Sequence, residues 1–228
     1  GREDYYWDNQ GILRMLSIGI PMALNYSITA IGTMILQSAI NVFGSSTVAA
    51  FTAASKVSNI ATQTFPTLGT AMATYCGQNL GAGKYKRITQ GMRQSFYLCF
   101  VAAALAALIC CCAGPFMVSW FISNPSAETM NAAMQYLYTI SAFMIPLGWI
   151  FIYRNGLQGL DRGFLPMLSG VVELVSRYVV ILIAAKPYGY LGVCFADPAA
   201  WLVTGIMLLI AYLAWKHQMS EHIKACEE

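Results

Sequence analysis

The sequence predicts an all-α integral membrane protein, folded as a bundle of six transmembrane helices. Of its 228 residues, 57% are hydrophobic and 10% are charged, and the mean hydropathy is +0.56. A soluble domain carries about 25% charged residues, so this chain has less than half of the usual share. The apolar residues form long runs without a period of two, which favours spanning helices over barrel strands.

Six apolar segments account for most of the chain. Each has at least the ~18 residues that a spanning helix needs, and the first three are long enough to tilt or to extend beyond the bilayer. Short loops join the segments, so neighbouring helices should run antiparallel. Pro66 in the second segment and Pro146 with Gly148 in the fourth predict kinks or flexible points. The segments cover residues 12–43, 48–75, 91–121, 130–153, 164–185 and 198–215.

The Lys and Arg residues predict the orientation of the bundle, because positive residues are retained on the cytoplasmic side. With a cytoplasmic N-terminus, the external loops hold only Lys186, and Lys56 and Arg177 lie inside spans. We therefore expect residues 1–11 and 216–228 to be cytoplasmic extensions of a multi-pass protein of the cell (plasma or inner) membrane. The net charge of +3 is too small to indicate a nucleic-acid partner. The ten cytoplasmic basic residues are then Arg2, Arg14, Lys84, Lys86, Arg87, Arg93, Arg154, Arg162, Lys216 and Lys224.

The stretch GQNLGAGKYKR, residues 77–87, joins the second and third segments. A phosphate-binding P-loop would need glycine at position 78 and Ser or Thr after Lys84, but the sequence has Gln78 and Tyr85 there. We interpret the stretch as a cytoplasmic turn whose glycines end one helix and allow the next to start. Its characteristic residues are Gln78, Asn79, Gly81, Gly83 and Lys84.

Polar residues recur on one face of the second segment, at intervals of three and four. A lysine and two amides facing lipid would be costly, so this face should contact other helices or a water-filled cavity. It predicts either a substrate or ion pathway or hydrogen bonds that only hold the bundle together. The residues are Thr52, Lys56, Asn59, Gln63, Thr67 and Thr70.

Two further spans carry polar residues at helical spacing. In the first segment a row at intervals of four predicts cavity lining in its middle part, or packing otherwise. In the fifth, Glu173 and Arg177 stand at i, i+4 and predict an ion pair within the helix, with either a structural role or a role in a proton or cation relay. The row in the first segment is Asn25, Thr29, Thr33, Gln37 and Asn41.

The seven cysteines predict neither a metal site nor a disulfide framework. Cys110, Cys111 and Cys112 are adjacent, so on a helix they point in different directions and cannot share one ligand centre. The chain has no nucleophile–base set and no nucleotide-binding motif. We therefore expect a protein that is not an enzyme and that needs no cofactor other than a coupling ion.

Four stretches together carry a specific combination of motifs. They read IGIPMALNYSITAIGTMILQSAIN, AAFTAASKVSNIATQTFPTLGTAMATYCGQNLGAGKYKRI, NGLQGLDRGFLPMLSGVVELVSRYVV and GYLGVCFADPAAW. The Q-N-x-G-A-G-[KR] turn and the E-L-x-x-R of the fifth segment are specific in combination. The sequence resembles the multidrug and toxic compound extrusion (MATE) family of transporters, and its bacterial branch most closely.

The resemblance implies twelve helices in two lobes of six, of which this chain would be the second, with residues 1–11 as the end of the inter-lobe linker. Its partners would be the bilayer, small amphipathic or cationic organic substrates, and a missing N-terminal lobe or a second copy of the chain. Some sodium-coupled members carry acidic residues in helices seven and ten. Spans one and four here have no Asp or Glu, so no cation site of that kind is implied.

The sequence thus predicts the C-terminal half of a multidrug or metabolite antiporter, driven by H⁺ or Na⁺ and working by alternating access. One alternative is a flippase for lipid-linked precursors on a related fold. Another is a membrane partner or scaffold lobe that does not transport. The ion pair Glu173 and Arg177 would serve coupling or structure. The candidates for lining the substrate cavity are Asn25, Thr29, Thr33, Gln37, Lys56, Asn59, Gln63 and Thr67.

Overall fold

The computed structural model describes the backbone of residues 9–227, with the side chains of that range except Arg14, Ile18 and residues 220–227. Most of the predicted linker end, and the side chains of the predicted tail beyond residue 219, therefore lie outside what is described. All secondary structure in the described range is helical. The prediction of an all-α fold is confirmed.

Nine α-helices and one π-helical turn form the described bundle. The first half of the chain contributes α1 (Asn9–Asn41), α2 (Ser45–Thr62), α3 (Thr64–Gly81), α4 (Tyr85–Leu108), the π-turn Ile109–Ala113 and α5 (Gly114–Ser119). The second half contributes α6 (Ala127–Ser141), α7 (Met144–Gly159), α8 (Phe164–Cys194) and α9 (Ala196–Glu227).

The helices correspond to the six apolar segments, but not every segment is one continuous span. By length and composition, four helical stretches of the described chain could cross a membrane, or five if the bent pair α6–α7 counts as one span. The pair α2–α3, which covers the second predicted segment, is not among them. The reason is that its polar face lowers its hydropathy and that the helix is broken at Gln63, between two helices of 18 residues each.

Both broken spans place a proline just after the break. Pro66 is the third residue of α3 and Pro146 is the third residue of α7, and α6 meets α7 at an angle of 54°. The first turn of a helix has no partner for its N–H groups, so proline is tolerated there and not in the preceding turn. The prolines thus define where the second helix of each pair begins.

A seam of small residues joins α3 to α7. A Cβ added to Gly69 would lie 3.0 Å from the carbonyl oxygen of Phe151, and one added to Gly159 would overlap the carbonyl oxygen of Ala73. Gly69, Ala73 and Gly77 are spaced by four, so they share one face of α3. Small residues at this spacing let two helix backbones approach closely in a membrane. The opposite face of α3 remains exposed, and it carries the polar residues of the predicted stripe.

A sharp reversal connects α8 to α9. Gly189 has φ +55° and ψ −134° inside the continuous helical stretch, so the chain turns back there. Gly192 then lies against the backbone of Ala184, where a Cβ would overlap the carbonyl oxygen. This hairpin lays the start of α9 beside the middle of α8, and it thereby brings Asp197 to Arg177.

The α3–α4 turn ends α3 with a Schellman motif. The Lys84 N–H donates to the carbonyl oxygen of Asn79 at 2.8 Å, the Gly83 N–H donates to that of Leu80 at 3.0 Å, and Gly83 has φ +66°. The α7–α8 turn shows the same pattern, with Asp161 at the left-handed position (φ +61°). The left-handed position of this motif favours glycine.

Replacing Gly83 with alanine should lower the free energy of unfolding by about 1–2 kcal/mol, the usual penalty for a Cβ in the left-handed region. Apart from Gly83 and its two chain neighbours, no described residue has an atom within 4 Å of the added Cβ, so the backbone conformation would cause the loss. Thermal unfolding of the purified protein in detergent measures it. Gly81→Ala is the matched control, because Gly81 is equally open but helical. Equal decreases in the free energy of unfolding for the two variants would contradict a left-handed conformation at Gly83.

Candidate functional site

Four charged side chains form a continuous network across α7, α8 and α9. Glu173 Oε2 accepts from Arg154 Nη2 at 2.8 Å, and Glu173 Oε1 accepts from Arg177 Nη2 at 3.1 Å. Arg177 Nε in turn donates to Asp197 Oδ1 at 2.7 Å. The pair Glu173–Arg177 that the sequence predicts is therefore present, but it is the middle of a longer chain of ion pairs.

The network is buried and its formal charges cancel. Glu173, Arg177 and Asp197 are 5%, 3% and 8% exposed. Burying an ion is expensive unless a partner of opposite charge and hydrogen bonds compensate it. The two guanidinium groups and the two carboxylates compensate each other only when all four are charged. The removal of any one charge therefore leaves another without compensation.

Helix α1 is tied to the same region by Asn25 and by two glycines. Asn25 Nδ2 donates to the carbonyl oxygen of Pro166 at 2.6 Å, and Ser169 Oγ accepts from Arg154 Nε at 3.0 Å. Added Cβ atoms at Gly32 and Gly170 would overlap Arg177 Nη1 and crowd Asn25 Nδ2. Asn25 therefore joins α1 to α8, and the glycines allow the close approach.

A cavity of about 560 Å³ lies beside the network and opens to the outside of this chain. Arg177 and Asp197 line one side of it, and Tyr136, whose hydroxyl lies 3.5 Å from Asp197 Oδ2, lines the wall next to them. The remaining wall combines amides and hydroxyls with aromatic and aliphatic groups. These residues are Thr33, Met34, Leu36, Gln37, Phe51, Ser55, Ser58, Asn59, Thr62, Gln63, Pro66, Leu147, Phe151 and Trp201.

Of the eight residues predicted to line a cavity, the structure brings four to this one, namely Thr33, Gln37, Asn59 and Gln63. Asn25 is buried between α1 and α8, and Thr29 Oγ1 donates to the backbone of Asn25 at 2.9 Å. Thr67 Oγ1 donates to the backbone of Gln63 at 3.1 Å. Lys56 lies outside the cavity, with Nζ 5.2 Å from the ring centroid of Phe121.

The residues of the α3–α4 turn lie apart from the cavity. Asn79 is largely buried, and its Nδ2 donates to the carbonyl oxygen of Tyr75 at 2.8 Å. Gln78, Gly81 and Lys84 are exposed. Together with Gly83 they shape the end of α3 and the start of α4.

Sequence reasoning missed two members of the network. Asp197 was not a candidate, although an acidic residue within an apolar run is a signal of function or pairing. Arg154, which the sequence analysis counts among the cytoplasmic basic residues, lies within α7 and pairs with Glu173. The end of the fourth segment was placed at residue 153, whereas α7 continues for six further residues.

The residues of this network lie largely within a region that matches a known protein family. A sequence model of the MatE family matches residues 21–183 of this chain. The chain belongs to the MatE family. The matched range contains α2 to α7 and, of the network, Arg154, Glu173 and Arg177, and the predicted resemblance is confirmed.

Curated relatives of this MatE-family chain include two transport-related proteins. It is 28% identical over 174 residues to the probable multidrug resistance protein YpnP of Bacillus subtilis, covering 76% of this chain and 38% of the relative. It is 25% identical over 223 residues to a protein of Shewanella oneidensis named FAD transporter, covering 93% and 46%. The chain therefore spans less than half the length of these relatives.

Solved structures show the same fold. The bent form of the Vibrio cholerae MATE transporter VcmN matches with a TM-score of 0.85 at 17% identity, over 94% of this chain and 49% of that one. An outward-facing multidrug resistance MATE transporter of the MOP superfamily matches with a TM-score of 0.76 at 16% identity, over 86% and 43%. The fold of this chain is thus that of about half of a MATE transporter.

Proposed function

We propose that this chain is the C-terminal lobe of an exporter of small organic molecules, driven by H⁺ or Na⁺ and working by alternating access. The observation that carries the proposal is a cavity with a mixed polar and apolar lining, which opens on one side and is bordered by a buried, charge-balanced network. In addition, the chain covers 38–46% of its curated relatives. A second lobe, from further residues of the same polypeptide or from another copy, would close the open side.

The exposed polar face of α2 and α3 supports the need for a second lobe. Lys56, Asn59, Gln63 and Thr67 are exposed in this chain. Lipid would solvate a lysine and amides poorly, whereas a facing lobe or water between two lobes would not. We expect this face to border the central pathway of the complete protein.

The cavity chemistry favours amphipathic organic substrates. Phe51, Phe151 and Trp201 offer aromatic surface, while Gln37, Asn59 and Gln63 offer donors and acceptors. Arg177 and Asp197 add one charge of each sign at one side. Such a mixture can hold ring systems of different polarity, in line with relatives named for multidrug resistance and for FAD transport.

The charged network could couple the binding of an ion to a change in the orientation of the lobes. A proton or sodium ion on Asp197 would weaken the ion pair to Arg177 that joins α8 to α9. One on Glu173 would weaken its ion pairs to Arg154 of α7 and to Arg177 within α8. An ion can shift a conformational equilibrium only by binding one state more tightly than the other. We propose that the intact network and the ion-occupied network favour different orientations of the lobes.

The test is efflux of ethidium from cells that express the full-length protein, beside cells that express residues 1–228 alone, with and without a proton uncoupler. Export by the full-length protein that the uncoupler or sodium removal abolishes would support the proposal. No export of any of a panel of organic dyes, with normal insertion in the membrane, would contradict it. If no dye is exported but a lipid-linked substrate is flipped across the membrane, the flippase alternative is favoured. If nothing is transported, the scaffold alternative is favoured.

Gln63→Leu should change export without destabilising the protein. Gln63 is exposed, lines the cavity and lies at the break between α2 and α3, so it is placed to contact substrate. We expect a change of about five-fold or more in half-saturating substrate concentration, corresponding to the loss of about one hydrogen bond. Gln94→Leu is the control, because Gln94 is exposed on α4 and does not line the cavity. Identical transport curves for both variants would remove Gln63 from the substrate pathway.

A further inference from the structure

A second, smaller cavity lies between α4, α7 and α9, at the end of the bundle that holds the α3–α4 and α7–α8 turns. Its volume is about 180 Å³, several times the roughly 30 Å³ that a water molecule occupies in the liquid, so a phosphate group would fit. It shares no lining residue with the larger cavity. It is therefore a separate site.

Two cations and two neighbouring aromatic rings define this smaller cavity. Tyr153 of α7 and Tyr212 of α9 are buried, with ring centroids 5.4 Å apart. Arg93 of α4 and Lys216 of α9 are exposed and line the same cavity. Among the residues whose side chains the structure describes, no acidic one lines this cavity and none forms an ion pair with either cation. The site is therefore complementary to an anion.

Apolar surface extends from the two cations towards the middle of the bundle. On α4, Phe96 and Phe100 follow Arg93 by three and seven residues, so they share its face. On α9, Leu213 precedes Lys216 by three. Because α4 runs away from this end and α9 runs towards it, Leu213 lies on the same side of the cations as the two phenylalanines, towards the middle of the bundle. Phe100 is 53% exposed and Leu213 is 50% exposed.

We propose that this cavity binds the phosphate of an anionic glycerophospholipid, with an acyl chain lying along Phe96, Phe100 and Leu213. Basic pockets between spanning helices next to the membrane surface bind anionic headgroups. A soluble phosphate would use only the two cations, whereas a lipid would use both the cations and the apolar surface beside them, so we favour the lipid. The site is independent of the substrate pathway and of the coupling ion.

The experiment measures lipid binding to the full-length protein, purified in detergent, by native mass spectrometry with added phosphatidylglycerol. The double variant Arg93→Gln/Lys216→Gln should bind it about 30-fold more weakly, the expected effect of two cations at a membrane surface. Lys86→Gln/Arg87→Gln is the control, since it removes the same charge from the same end outside the cavity. Arg93→Lys/Lys216→Arg retains the charges and should retain binding.

Each other outcome overturns a stated part of the proposal. Equal phosphatidylglycerol binding by the Gln double variant and its control would show that the cavity is not the site. Equal binding of zwitterionic phosphatidylcholine by the unchanged protein would remove the requirement for an anion. Full displacement of the lipid by millimolar glycerol phosphate would make the ligand a soluble phosphate. Should the Gln double variant not be recovered, the single variants Arg93→Gln and Lys216→Gln are measured in the same way.

Discussion

Glu173→Gln should abolish most of the export activity of the full-length protein and should also destabilise it. The change keeps the shape of the side chain but removes the charge that pairs with both Arg154 and Arg177. Asp197 would then be the one carboxylate of the network left to balance two guanidinium groups. Breaking a buried ion pair by removing one partner costs about 3–5 kcal/mol, so a large fall in unfolding temperature is expected.

A double variant separates the structural effect from the functional one. Arg154→Gln combined with Glu173→Gln restores a neutral network, in which Arg177 remains paired with Asp197. We expect this variant to recover much of the lost stability, while export stays reduced by about 5- to 150-fold, the range for coupling free energies of 1–3 kcal/mol. Transport is measured per molecule inserted in the membrane, so that expression does not enter the comparison.

The control for the charge change is Glu128→Gln, because Glu128 is exposed in the first turn of α6. It should leave export unchanged and alter stability by less than about 1 kcal/mol. Normal export by Glu173→Gln at normal stability would remove the network from the mechanism. Recovery of both stability and export in the double variant would leave Glu173 a purely structural role.

Gly159→Ala should lower the free energy of unfolding by about 3 kcal/mol, the upper part of the range for overpacking a tight interface. The added Cβ would overlap the carbonyl oxygen of Ala73, and a backbone atom cannot move aside as a flexible side chain can. The seam between α3 and α7 would have to open. Because Gln63, at the start of α3, and Pro66 within it line the cavity, we also expect export to fall.

Gly77→Ala is the matched control in the same seam. Its added Cβ would lie 3.5 Å from the carbonyl oxygen of Gly159, which is ordinary van der Waals contact, so little destabilisation is expected. Chemical unfolding of both variants in the same detergent gives the comparison. Similar unfolding midpoints for Gly159→Ala and the unchanged protein would show that the seam is looser than the structure indicates.

The fold class and the membrane segments could be predicted because they depend on local composition. The length and hydropathy of the apolar runs decide whether a helix can cross a bilayer, and no contact between helices enters that decision. The breaks after Thr62 and Ser141 were also signalled, by Pro66 and Pro146. The second segment shows the limit of prediction from hydropathy. The polar face of α2–α3 makes its mean hydropathy too low for a spanning helix, although the pair packs within the bundle.

The site was predicted only in part. Glu173 and Arg177 are one helical turn apart, so their pairing follows from the geometry of a single helix. Gln37 and Gln63 were identified because polar residues in apolar helices stand out. Arg154 and Asp197 reach the network from α7 and α9, and their positions depend on the α8–α9 hairpin at Gly189 and on the packing of α7 against α9.

Hydropathy and short specific motifs were enough to predict that this protein is helical, that it lies in a membrane and that it belongs to the MatE family. Which polar residues come into contact depends instead on how the helices pack. In the folded chain, Asn25 lies in the contact between α1 and α8, and four charged residues of α7, α8 and α9 form one network. The residues that line one cavity together are Thr33, Gln37, Asn59 and Gln63. The physical reason is that a buried charge must find its partner in space, and helix packing, rather than spacing along the chain, places that partner.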